Sequence, residues 1–221
     1  MSDFNRMRER FGALYQGVRE LHQSSLRAHR GHGFDHDVTV AQYVLNIAPD
    51  AHAGGMAWCA ALLHSIDHLV GADNVEVKTC ELAALIPHEI FTNAERGEIV
   101  EAAVRHAEKN RHDQKLCQQV LMDADRLANL QPVLLMRSGQ YRPYIPVLDL
   151  AYLDEKPDPT STYSEPRTVM DDVRLCIVEY RPQFRLPKAV ELANIYIGQL
   201  ERYMSELREA YKFLGLAGTQ L

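Results

Sequence analysis

The chain lacks any apolar run approaching the roughly 18–20 residues that a membrane-crossing helix needs. Its opening, MSDFNRMRERF, carries no hydrophobic stretch of the secretory-signal kind. Both absences lead to the expectation of a cytoplasmic protein without a membrane partner. There is no CxxC pair. The four cysteines, Cys59, Cys80, Cys117 and Cys176, stand far apart and are expected to be reduced, mostly buried thiols. Basic charge is not in excess: 24 Lys and Arg against 30 Asp and Glu leave a net charge of −6, which removes any general attraction to nucleic acid polymers. Strand-type alternation, internal repeats and low-complexity tracts are also missing, so the class is all-α. With 46% hydrophobic and 24% charged residues, the composition is ordinary for a folded protein with a sizeable core.

What is over-represented is histidine. Ten are present, and several fall in segments with the periodicity of core helices. A first helix is predicted from Asp3 to about His29, with Phe4, Met7, Phe11, Leu14, Val18 and Leu21 at helical spacing. Gly31-His32-Gly33 breaks it, and a second helix opens at Asp35 or His36 and stops at Pro49. Met56–Leu69 reads as a helix that is apolar almost all round, which is how a helix running through an interior looks. Val77–Leu85 is a shorter helix, Thr92 or Asn93 caps the next with Glu95 in its first turn, and Gln114–Leu130 follows. From Gln131 to Pro166 prolines and a polar run at Asp154–Glu165 predict irregular structure. Thr168–Tyr180 is helical, and Pro187 fits the first turn of a last long helix ending near Phe213 and closed by Gly215.

The chemistry concentrates in AALLHSIDH, residues 60–68. On a continuous helix His64, Asp67 and His68 fall at i, i+3 and i+4 and share one face. Polar groups carried into an apolar interior need partners or a metal. Two other stretches can supply them: GHGFDHD upstream and LMDADR downstream.

Four segments, GHGFDHDVTVAQYVLNIA, WCAALLHSIDHL, AAVRHAEK and VLMDADRLANL, resemble in their order the HD-domain superfamily of metal-dependent phosphohydrolases. The resemblance runs through about residues 20–130, and the closing helices are similar to the C-terminal part of a small bacterial branch of that family. It implies one HD-type domain over residues 1–221, a helical bundle on which the irregular segment and the C-terminal helices pack. It matches the family's histidine to His36, the histidine of its His-Asp pair to His64, and its later aspartate to Asp125. These three would hold a divalent transition metal, one of Mn, Fe, Co, Ni or Zn. Where the family has a metal-binding aspartate this chain has Ser65. Three consequences are open: Asp67 is recruited, water fills the place, or metal affinity falls so far that catalysis is lost.

His68 occupies the place where several branches carry an acidic catalytic residue, so His68 and Asp67 are the catalytic candidates. His106, on an inward helix face, and the basic residues Arg126 and Arg142 are candidates for binding substrate. Each has a plainer alternative. His36 can serve a helix cap, and His64 and His106 can be core histidines. Asp67 and Arg126 can be surface charges, and His68 a partner at a helix end. Asp123 and Asp125 are not expected both to point inward from one helix; the resemblance favours Asp125 as the ligand and leaves Asp123 as an acid supporting the site or at the surface. Arg142, in YRPY, either folds over the pocket or packs against the domain. His88 is a weaker candidate, and His22, His29, His32, His52 and His112 read as exposed, although His32 lies near enough to His36 to line the entrance. The apolar stripe of the last helix is either core or a subunit contact of a homodimer. The leading expectation is a phosphohydrolase for a small phosphorylated metabolite, with a nucleotide first among the candidates. The alternative is a protein that keeps the fold for a ligand-binding or regulatory role.

Overall fold

A computed structural model describes residues 2–25, 32–153 and 156–216. The described residues are all-α, with no strand among them. They cluster into two compact units where the sequence suggests one domain. The first comprises the chain to Ala128 together with Arg185–Ala189, and the second comprises Asn129–Phe184 and the chain from Val190 onward. No helix among the described residues is long and apolar enough to cross a membrane.

The first unit is built on α4 (Ala51–Leu63), every residue of which from Ala53 to Leu63 is buried. Its lack of a polar face makes the interior its only stable place. Asp50 starts the helix by accepting from the backbone N–H groups of His52 and Ala53, at 2.9 and 2.8 Å. Against α4 pack α2 (Gly12–Ser24) and α3 (Phe34–Ile47), then α6 (Val75–Ala83) and α7 (Asn93–Val104) beyond the single turn α5 (Ile66–Leu69), while α1 (Asp3–Arg10) lies on α2 and α3 and brings the Phe4 ring to 6.0 Å from Trp58. Gly54 and Gly55 permit that closeness. A methyl group at either would lie 3.3 Å from a neighbouring carbon, on Ala48 or Phe91 respectively. Trp58 is fully buried beneath Phe11, whose ring stacks on it at 5.7 Å and on Phe91 at 5.8 Å.

Two predicted helices are interrupted. The N-terminal one breaks at Phe11, whose ring turns into the core. It then ends at Ser24, and the expected extension to His29 lies outside the described residues. The expected Met56–Leu69 helix ends instead at Leu63. His64 closes α4, Ser65 leaves helical geometry at φ −83° and ψ 8°, and α5 begins afresh at Ile66. The premise of one face shared by His64, Asp67 and His68 fails there: His64 is buried and Asp67 is exposed.

α8 (Leu116–Leu130) supplies the remaining wall of the first unit up to Ala128. Asp123 lies on α8 with no exposure and accepts from the backbone N–H groups of Arg185 and Leu186, each at 2.8 Å. A segment 62 residues later is thereby sewn into this unit.

In the second unit the stretch expected to be irregular holds a helix, α9 (Leu134–Tyr141), because Leu134 and Ser138 share a buried face that Gly139 does not disrupt. The rest, to Pro166, is largely irregular, with residues 154–155 outside the description. It is tied down by α10 (Val169–Tyr180), whose Arg174 donates to the carbonyl oxygens of Tyr152, Leu153 and Lys156. α11 (Pro187–Phe213) follows, and Gly215 after it has φ +69°, the left-handed conformation that glycine adopts freely.

Candidate metal centre

His36 reaches the site from the first turn of α3, His64 from the end of α4 and Asp125 from the middle of α8. His36 Nε2 lies 3.1 Å from Asp125 Oδ1, the two Nε2 atoms of His36 and His64 are 3.3 Å apart, and His64 Nε2 is 3.8 Å from Asp125 Oδ1. Donors each about 2.0–2.2 Å from one ion, at angles of about 90–120°, stand roughly 2.8–3.8 Å apart. The triangle therefore has the dimensions of a cation site, and this His-His-Asp cluster could hold a metal. Both imidazoles are buried, and Asp125 keeps one-fifth of its side chain exposed.

His64 is held in the tautomer that coordination requires. Its Nδ1–H donates to the carbonyl oxygen of Ala61 at 2.7 Å, so Nε2 presents a lone pair to the cluster. His106 repeats the device just beyond α7, with Nδ1 at 2.8 Å from the Ala103 carbonyl oxygen and its ring edge-on to His64 at 5.1 Å. Burial, then the neighbouring His64, pushes the His106 imidazolium down, so the ring is neutral in neutral solution. Burial would raise the Asp125 carboxyl, but the His36 hydrogen bond and the surrounding imidazoles outweigh it and hold it well below the ordinary carboxylate range.

The other expected residues are distributed around this centre or away from it. His68 lies at its mouth, half-buried and stacked on His32 at 4.1 Å, and His32 meets His36 edge-on at 5.1 Å. Burial depresses the His68 imidazolium against the pull of Asp67, so this side chain stands ready as an acceptor more than as a proton-loaded acid. Asp67 does not join the three ligands; its carboxylate is 40% exposed and 3.7 Å from His68. Arg126 is buried and engaged, donating to Asn110 Oδ1 at 2.9 Å with Asp123 at 3.4 Å. Arg142 belongs to the second unit, where it donates to the carbonyl oxygens of Ser164 and Tyr163 and lies 3.7 Å from Asp172. His88 lines a groove of about 610 Å³ between α6 and α7, beside Cys80 and Arg105. Asp123 corrects the expectation that the two aspartates do not both point inward. Two residues apart on a helix, they point to opposite sides, and both sides are interior.

Two participants, Asp37 and His22, escape the sequence reading. Asp37, fully buried, accepts from Ser65 Oγ at 2.5 Å on one oxygen and pairs with His22 Nε2 at 2.8 Å on the other. Ser65 Oγ in turn lies 3.3 Å from His64 Nε2. His22, expected at the surface, is buried because it continues the inward row Leu14, Val18, His22 at four-residue spacing. That spacing was the available signal.

These features define an all-α protein with a His-His-Asp cluster that could hold a metal at the meeting of three helices. No protein-family model matches the chain, and no curated protein matches it. Among solved structures it is similar to a Lactobacillus plantarum protein determined as a structural-genomics target. The identity is 18%, the TM-score 0.68, and the match covers 92% of this chain and 97% of that one. That likeness establishes a shared fold.

Proposed function

We propose that the protein is a metal-dependent phosphohydrolase of the HD type, acting in the cytoplasm on a small phosphorylated metabolite, a nucleotide first among the candidates. The observation that carries this reading is the convergence of His36 Nε2, His64 Nε2 and Asp125 Oδ1 within 4.8 Å of one another. A bound Mn, Fe, Co, Ni or Zn ion would supply an acidified water and polarise a phosphoryl oxygen. The chain's own residues do the rest. The Ala61 carbonyl fixes the His64 tautomer, and the Ala103 carbonyl fixes that of His106, whose Nε2 remains free to meet a substrate hydroxyl or water. His68, partly exposed at the mouth, can take a proton from an incoming water or exchange one with the leaving group. With three protein ligands, coordination positions stay open for water and substrate, as in hydrolytic sites.

The test is elemental analysis of the purified protein combined with a phosphatase and pyrophosphatase panel in Mn²⁺, Co²⁺, Ni²⁺ or Zn²⁺. Stoichiometric metal and turnover, both lost in His36→Ala and His64→Ala, are expected. Metal-free protein that binds none of the four ions would sink the proposal. The ligand-binding alternative draws on Ser65, which brings no carboxylate of its own. It would show as thermal stabilisation by a nucleotide without turnover at any metal.

A further inference from the structure

We infer that Ser65 Oγ is a fourth ligand of this cation site and that the buried Asp37 carboxylate, held by His22, lends it the negative charge that a serine lacks. The inference rests on the metal-centre reading above and gives that centre its missing donor.

The starting point is the surroundings of His64 Nε2. With the ring proton on Nδ1, this nitrogen has a lone pair and no hydrogen. Its neighbours are His36 Nε2 at 3.3 Å, Ser65 Oγ at 3.3 Å and Asp125 Oδ1 at 3.8 Å. The hydrogen of Ser65 Oγ is directed at Asp37 Oδ1, 2.5 Å away. The Nε2–H of His36 is directed at Asp125, 3.1 Å away. The lone pair of His64 Nε2 thus meets three polar atoms in a buried place, Ser65 Oγ among them, and the hydrogen of that hydroxyl is turned away from it toward Asp37. A cation among them would take up that lone pair and the oxygen lone pairs beside it.

Ser65 is suited to join the three ligands because of where its proton points. A neutral hydroxyl is a weak ligand, but one whose hydrogen is held by a carboxylate at 2.5 Å gains basicity as that proton is drawn away. Asp37 is placed to do this. It has no exposure, and the side-chain partners that face it are Ser65, His22 and, at 3.7 Å, His64 Nδ1. His22 fixes the other carboxylate oxygen and so aims the first at Ser65. Asp37 and His22 are positioning residues, since they act through Ser65.

The experiment is titration of the metal-free full chain with Co²⁺, which reports both affinity and, through its visible absorption, the ligand set. The arms are wild type, Ser65→Ala, Asp37→Asn, and the double variant Asp37→Asn/Ser65→Asp, with His64→Ala as the control for the centre itself. Expected are affinity losses of about 10–100-fold in both single variants, an altered Co²⁺ spectrum in Ser65→Ala, and recovery of affinity in the double variant, where the charge sits on residue 65 directly. Circular dichroism of each metal-free variant separates loss of binding from loss of fold. Ser65→Ala, a small deletion, carries the test if Asp37→Asn fails to fold. Unchanged affinity and spectrum in Ser65→Ala would overturn the inference while leaving the three-ligand centre intact. Failure of the folded double variant to recover affinity would overturn the role given to Asp37. A wild type that takes up no Co²⁺, like His64→Ala, would end the metal-centre reading and this inference with it.

Discussion

Asp123 and Asp125 stand two residues apart on α8, and both are carboxylates in the interior, yet they serve opposite ends. Asp125 faces three imidazoles, which hold its carboxyl low. Asp123 faces backbone: two N–H groups at 2.8 Å and the guanidinium of Arg126 at 3.4 Å. Burial raises its carboxyl, and those donors only partly offset that. The two substitutions should therefore separate cleanly. Asp125→Asn is expected to abolish cation uptake while leaving metal-free stability within about 1 kcal/mol, since the amide still accepts from His36. Asp123→Ala is expected to cost about 3–5 kcal/mol, because it strands two buried N–H groups and a buried guanidinium, and to leave the cation affinity of the folded fraction unchanged. Urea unfolding and metal titration of both variants decide it; a swap of the two phenotypes would mean that the ligand had been assigned to the wrong aspartate.

Helices that begin and end for local reasons were legible in the sequence, and those that break for distant reasons were not. Thr92, one of the two expected caps, forms a capping box with Glu95: each side chain answers the other's backbone, at 3.3 and 2.7 Å. Pro187 opens the last helix and Gly215 follows its end. The break at Phe11 goes with the packing of its ring on Trp58 and Phe91, 47 and 80 residues away, which no window of local pattern contains. The three metal-ligand candidates were legible because their motifs are short and ordered, whereas Asp37 reads as an ordinary first-turn acid until Ser65 is brought opposite. Two expectations belong at this scale. Phe11→Ala, which removes a ring stacked on both sides, should cost about 3–5 kcal/mol, read as a lowered unfolding midpoint. Thr92→Ala should cost about 1 kcal/mol near neutral pH. The Glu95 carboxyl lies below its ordinary value through its hydrogen bonds from Thr92, then His52. Its share of the stability is accordingly present above about pH 4.5 and is lost as pH falls through the lower folded value. The gap in melting temperature between wild type and Thr92→Ala should narrow below that pH, and a gap that widened would contradict the capping role.

At the scale of the molecule the first unit is discontinuous: the chain leaves it after Ala128 and returns at Arg185–Ala189. The return is anchored where the backbone N–H groups of Arg185 and Leu186 meet Asp123 and the Arg185 guanidinium meets Gln114 Oε1 at 2.5 Å. Pairings across more than sixty residues leave no trace in periodicity or composition, which is why one continuous domain was the natural reading of the sequence. They also form late in folding terms, since a long loop must close before they contribute. If the return is held through Asp123, removing the carboxylate and removing a donor should not add. Leu186→Pro deletes one N–H at a position just ahead of a helix, where proline is tolerated. Paired with Asp123→Ala in a double-mutant cycle, it should destabilise by about 1–2 kcal/mol less than the sum of the single effects. Additive losses would mean that Arg185–Ala189 is kept in place by its apolar contacts, such as fully buried Ala189, with the aspartate merely nearby.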